Sequence, residues 1–206
     1  MLEVVELSCN RGERRLFGGL SFMVPAGGLL SVMGENGCGK TTLLRLLSGL
    51  TSPEQGRIYW HGRDISQLKE LYFAQLTYIG HRNALKDDLT PAENLQASTR
   101  IAGSGISFTA ARSALDAVGL GRNLHLLATR LLSEGQKRRA ALARLWFCER
   151  PLWLLDEPFT ALDASASQIL HERLQNHLKN GGLVVLATHQ KVDVKAKSVG
   201  QLRLAG

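Results

Sequence analysis

Apolar and polar side chains alternate through residues 2–8, and again through 16–24 after a polar turn at 10–15. A period of two predicts two strands there. The segment Met1 to Leu7 is acidic and alternating, so it reads as the first strand rather than a signal or transit peptide. Pro25, Ala26, Gly27 and Gly28 turn the chain into an apolar stretch at 29–33, which predicts a buried strand. Leu43, Leu44, Leu46 and Leu47 then recur at helical spacing. A loop at 49–56, a strand at 57–62, a helix at 65–74 and a strand at 76–80 follow. From Thr90 to about Thr129 the strand pattern stops. Thr90, Pro91 and Glu93 predict a capped helix start. Residues 109–118 predict a second helix closed by Gly119, with a flexible joint at 103–105. This block, about 90–130, reads as a helical subdomain inserted in a single domain spanning 1–206. A helix at 134–147 and an apolar strand ending at Asp156 and Glu157 come next. An amphipathic helix at 164–179, a buried strand at 183–188 and a strand at 199–204 complete the pattern. The order predicts an α/β fold: an antiparallel β start, a parallel core sheet and the helical subdomain.

One stretch brings chemistry into that pattern. Gly34, Glu35, Asn36, Gly37, Cys38, Gly39, Lys40, Thr41 and Thr42 fit the phosphate-binding loop GxxxxGK[ST], between the predicted strand and helix. Glycines let backbone N–H groups turn inward around an anion, and the helix adds its positive end. Lys40 is then placed to reach the β- and γ-phosphates of a nucleoside triphosphate, and the Thr41 hydroxyl to ligate Mg²⁺. Cys38 lies beside that cation and near a helix N-terminus. Both favour a thiolate, against the plainer reading of a small filler residue.

Composition changes this picture little. The 206 residues, 44% hydrophobic and 21% charged, suffice for one domain with a sizeable core. No apolar run approaches the roughly 18 residues that span a bilayer. Cys9, Cys38 and Cys148 are odd in number and far apart, which implies neither a disulfide framework nor a zinc site and suits a reducing compartment. The net charge of +7 is spread along the chain. Its densest cluster, Lys137, Arg138 and Arg139 with Arg144, spreads around a helix and reads as mostly solvated surface, leaning toward a membrane-facing partner.

Asp156 and Glu157, at the end of an apolar strand about 115 residues after the phosphate loop, suit Mg²⁺ coordination through water and the orientation or deprotonation of an attacking water. Before them, Leu132, Ser133, Glu134, Gly135 and Gln136 fit LSxGQ. Here the chain resembles the ATP-binding cassette (ABC) family, of which this is the signature. Ala161, Leu162 and Asp163 resemble its D-loop, and His189 its switch histidine. The resemblance covers essentially the whole chain. It implies a P-loop ATPase fold, ATP and Mg²⁺ as ligands, and a head-to-tail homodimer. Each ATP is then clamped between Lys40 of one chain and Ser133 and Gly135 of the other. Glu157 and His189 serve hydrolysis.

Two positions depart from the family pattern. His81, followed by Arg82, stands where a glutamine usually contacts Mg²⁺ and water. No aromatic stands near Asn10 to Gly12 to stack on adenine, leaving Arg11 as a stacking candidate. Within the family, residues 78–81, 132–139, 141–146, 156–163 and 188–190 look most like the cytochrome c maturation ATPases, also described as haem-exporter ATP-binding subunits. That likeness implies integral membrane partners of the maturation complex, a peripheral place on the cytoplasmic face of the inner membrane, and no nucleic acid partner. It leaves open whether haem itself is exported or ATP drives release of a haem-loaded chaperone. Another small ABC exporter, or a soluble ABC ATPase acting on nucleic acid or ribosomes, are the competing readings.

Overall fold

The computed structural model describes residues 1–147, 149–189 and 192–204. Cys148 and Gln190, both invoked above, lie outside the described residues. The chain divides into two compact units. One comprises Met1–Tyr78, Arg150–Pro158 and Leu174–Gly206, the other Ile79–Glu149 and Phe159–Arg173.

The first unit contains the expected antiparallel start. Strand β1 (Leu2–Arg11) pairs antiparallel with β2 (Arg14–Val24) and with β4 (Gln55–Trp60), which pairs with the short β5 (Arg63–Asp64). The order is β2-β1-β4-β5. Register shifts in β1 between Val4 and Leu7 interrupt its alternation. The second sheet has the order β6-β7-β8-β3-β9, built from β3 (Gly28–Met33), β6 (Leu76–Ile79), β7 (Leu152–Asp156), β8 (Leu183–Ala187) and β9 (Ser198–Arg203). Strands β7, β8, β3 and β9 run parallel. Every residue of β7 and β8 is buried, as a parallel strand covered on both faces requires, which explains their unbroken apolar runs. Helix α1 (Lys40–Leu47) sends Leu43, Leu44, Leu46 and Leu47 into one core with Leu152, Leu154 and Val185. Each such burial contributes about 1.5–3 kcal/mol, and together they pin the helix whose first residue is Lys40.

The helix expected at 65–74 is two. Helix α2 (Ile65–Leu68) and helix α3 (Glu70–Phe73) are broken at Lys69, whose φ is +45°. The break follows from packing. Tyr72 is buried and donates its hydroxyl to the Leu47 carbonyl at 2.6 Å, while Leu71 stays exposed. Burial also pushes the Tyr72 pKa up.

The second unit is mainly helical. Helix α4 (Pro91–Ile101) starts on the expected capping box of Thr90 and Glu93. Helix α5 (Phe108–Ala117) is capped by Ser107. Helix α6 (Glu134–Leu142) ends earlier than its pattern suggests, because residues Ala143–Trp146 tighten into a 3₁₀ turn. Ala92, Leu95, Leu115, Leu132 and Ala140 lie in its core. Helix α7 (Ala164–Lys179) precedes β8. Among the described residues no helix is long and apolar enough to cross a membrane.

Candidate nucleotide site

The phosphate loop joins β3 to α1. Gly39 precedes the helix with φ +107°, and a Cβ there would stand 3.2 Å from the Phe17 ring, so both backbone and space call for glycine. Thr90, Ser107 and Ser133 cap α4, α5 and α6, but no side chain caps α1 and its first turn holds no acidic residue. The N–H groups there are left for an anion. Lys40 is buried, and its Nζ donates to the carbonyls of Gly34 (2.7 Å) and Glu35 (3.1 Å). It also lies 3.1 Å from His189 Nε2. Cys38 is 2% exposed, its sulfur packed against Gly34. The structure supports the filler reading of this residue over an accessible reactive thiol.

Asp156 ends β7, and its Oδ2 accepts the Thr41 hydroxyl at 2.7 Å. A hydroxyl and a carboxylate held this close form a hard oxygen donor pair. It fits Mg²⁺, which takes few protein ligands and completes its shell with phosphate oxygens and water. Tyr78 stands near this carboxylate. Burial raises its pKa, Asp156 adds to the rise, and Arg45 opposes it.

Glu157 follows with φ +47°, and its N–H donates to the Ala187 carbonyl at 2.9 Å. Its Oε1 is 3.2 Å from His189 Nε2, which also meets Asn36 Oδ1 at 3.0 Å. Lys40 can only donate and a carboxylate only accepts, so the single Nε2 cannot satisfy both at once. The nitrogen is therefore poised between the cation and the carboxylate.

The other predicted residues lie in the helical unit, apart from Arg11, which is exposed at the end of β1 in register with Arg14. The Ser133 hydroxyl caps α6 by accepting the Gln136 N–H at 3.3 Å, and the Gln136 carboxamide oxygen accepts the Ser133 N–H at 2.9 Å. This capping box was readable in the spacing of Ser133 and Gln136. Among the described residues nothing accepts from the serine O–H, which can donate to an anion. A Cβ on Gly135 would meet the Ala161 carbonyl at 2.7 Å, so the signature glycine admits the segment leading to Asp163. Asp163 pairs with Arg139 and accepts the Ala166 N–H at 2.8 Å, opening α7. The Ala166 N–H holds its carboxyl below the usual range, and Arg139 adds to the effect. His81 is exposed, in the turn after β6.

The basic cluster on α6 is not the solvated surface its composition suggests. Arg138 is 3% exposed and binds the turn that carries His81. Arg139 and Lys137 are also engaged in ion pairs. Lys137 meets Glu134 at the i,i+3 spacing of its own helix, but Asp87, Asp163 and Gly80 lie far away in sequence, and no periodicity reveals them.

The model of the ABC transporter family matches residues 17–160. The chain belongs to the ABC transporter family. This ABC chain is 50% identical, over 99% of its length and 100% of the relative's, to a cytochrome c biogenesis ATP-binding export protein of Dechloromonas aromatica. It is 45% identical, over 98% of both chains, to the protein of the same name in Nitrosospira multiformis. Its fold is shared with a solved ATP-binding cassette, described as a dimer in a post-hydrolysis state bound to ADP and Pi. The TM-score is 0.80 at 23% identity, covering 92% of this chain and 88% of that one. The expected P-loop ATPase architecture is thereby established.

Proposed function

We infer that the chain is the ATP-hydrolysing subunit of a membrane ABC complex in cytochrome c biogenesis. One observation carries the chemistry: Lys40, Asn36 and Glu157 converge on His189 Nε2 within 3.2 Å, in the unit that holds the uncapped start of α1. The link to cytochrome c rests on the relatives and on the motifs shared with them.

Lys40 and the first turn of α1 hold the β- and γ-phosphates of ATP, with Gly34 to Thr42 as the cradle. Thr41 and Asp156 hold Mg²⁺, which when bound neutralises phosphate charge. Glu157 takes the proton of the attacking water, and His189 exchanges Lys40 for the γ-phosphate. Arg11 faces the adenine. His81 is the counterpart of the glutamine that in the family contacts Mg²⁺ and water. Ser133, Gly135, Gln136 and Asp163 serve a second copy of the chain, since an anion site on one surface and its partner on another close two equivalent sites in a two-fold dimer. The chain acts as an ATPase subunit, peripheral on the inner membrane and bound to membrane subunits.

The test is capture from detergent-solubilised membranes with the Glu157→Gln chain, ATP and Mg²⁺. Recovery of integral membrane proteins of cytochrome c maturation is expected. Recovery of other membrane proteins would remove the cytochrome link, and recovery of ribosomes or nucleic acid would remove the membrane role.

A further inference from the structure

Arg138 is a buried arginine inside the helix that the signature opens. Its Nη1 donates to the Gly80 carbonyl at 3.0 Å and to Asn83 Oδ1 at 3.3 Å. These two acceptors flank His81. Burying a guanidinium is costly, and hydrogen bonds to protein acceptors offset part of that cost. Two of the acceptors that meet it stand on the turn that follows β6.

The chain that follows that turn is fastened to the 3₁₀ turn Thr129–Leu131 before the signature helix, and to α4. Thr129 donates both its N–H (2.9 Å) and its hydroxyl (2.6 Å) to the Leu89 carbonyl. The Arg130 N–H donates to the Asp87 carbonyl at 3.0 Å, and its guanidinium pairs with Asp88 at 2.6 Å. The buried Asn94 side chain binds the Lys86 N–H and carbonyl, and also the Thr129 hydroxyl. Segment 80–89 therefore lies as a strap along residues 129–138. At the His81 end, the fastening is Arg138.

We propose that Arg138 is a positioning residue for ATP hydrolysis: it locks the 80–83 turn to the signature helix, so that His81 and Ser133 are presented as one rigid piece. The proposal rests on the ATPase reading above, but its geometric half does not. Arginine suits the task because Nη1 carries two N–H groups, one for each acceptor, on a planar guanidinium that is more weakly hydrated than an ammonium.

The test uses the full chain and the variants Arg138→Gln, Arg138→Lys, Asn83→Ala and His81→Ala. Arg138→Gln is expected to lose about ten- to hundredfold in kcat while KM for ATP stays within about twofold, because the phosphate loop is untouched. Arg138→Lys recovers part of that loss. Asn83→Ala or His81→Ala placed in the Arg138→Gln background costs little further, since the turn is already released. Backbone order parameters of residues 80–83 fall from about 0.85 to below about 0.6 in Arg138→Gln. That measurement needs no hydrolysis. Multiplying losses in the double variants would overturn the proposal, as would a kcat loss that tracks a lower melting midpoint and is not relieved by lysine. Unchanged order at 80–83 would overturn it even in a chain that proved inactive. A wild-type chain without ATPase activity would instead sink the functional reading alone.

Discussion

Glu157 occupies a left-handed backbone conformation that ordinary side chains avoid, at a cost on the order of 1–3 kcal/mol. The hydrogen bond from its N–H to Ala187 and the turn into Pro158 hold it there. The return on that strain is direction. The carboxylate leaves the line of β7 and meets His189, while Asp156 one residue earlier meets Thr41. Two adjacent carboxylates thereby acquire separate tasks. Glu157→Gln keeps the shape and removes the base. Hydrolysis should fall by about 10²- to 10⁴-fold, the range for a general base, with nucleotide affinity retained. Single-turnover ATPase rates beside equilibrium binding of labelled ATP decide it. Hydrolysis at the wild-type rate would mean that another group takes the proton. The identities of these residues were legible in the motif. The positive φ of Glu157 was not, because such a backbone at a glutamate is imposed by the surroundings.

Among the elements, the signature helix and the segment opening α7 are matched to each other. Gly135 admits the Ala161 carbonyl, and Arg139 meets Asp163. Asp163 in turn caps α7 through the Ala166 N–H. Its folded pKa is depressed, so its contribution to stability is fully present above the unfolded carboxylate pKa. That contribution disappears as pH falls through the lower, folded value. Asp163→Asn should therefore lower the urea midpoint at neutral pH, and the gap from wild type should close under acid conditions below the usual carboxylate range. A gap that persists unchanged in acid would assign the stabilisation to something other than the charge. Helix α6 itself was readable from its capping box. The Arg139 to Asp163 pair was not, since the two are 24 positions apart and each alone reads as an ordinary surface charge.

Across the whole molecule, the phosphate loop and the signature lie in different compact units. Each presents the start of a helix, one uncapped and one capped by a serine that keeps its O–H. A two-copy arrangement uses both. Ser133→Arg adds bulk and charge at the second anion site without touching the first. In a Glu157→Gln background, ATP should drive the chain into a dimer by light scattering, and adding Ser133→Arg should leave it monomeric with ATP still bound. A dimer that survives Ser133→Arg would remove the signature from the interface.

The sequence by itself determined the order of strands and helices, the phosphate loop and the family. Those features depend on local backbone preference and on spacing, and both are written along the chain. The helix expected across 65–74 marks the limit, because the burial of Tyr72 against Leu47 outweighed local periodicity. Only the tertiary structure decided that Cys38 is filler, that His189 stands between Lys40 and Glu157, and that Arg138 is an interior clamp rather than a solvated charge. Each of those roles is set by partners distant in sequence. A side chain's charge or thiol names the chemistry it can perform, and packing decides whether water, a carbonyl or a phosphate receives it.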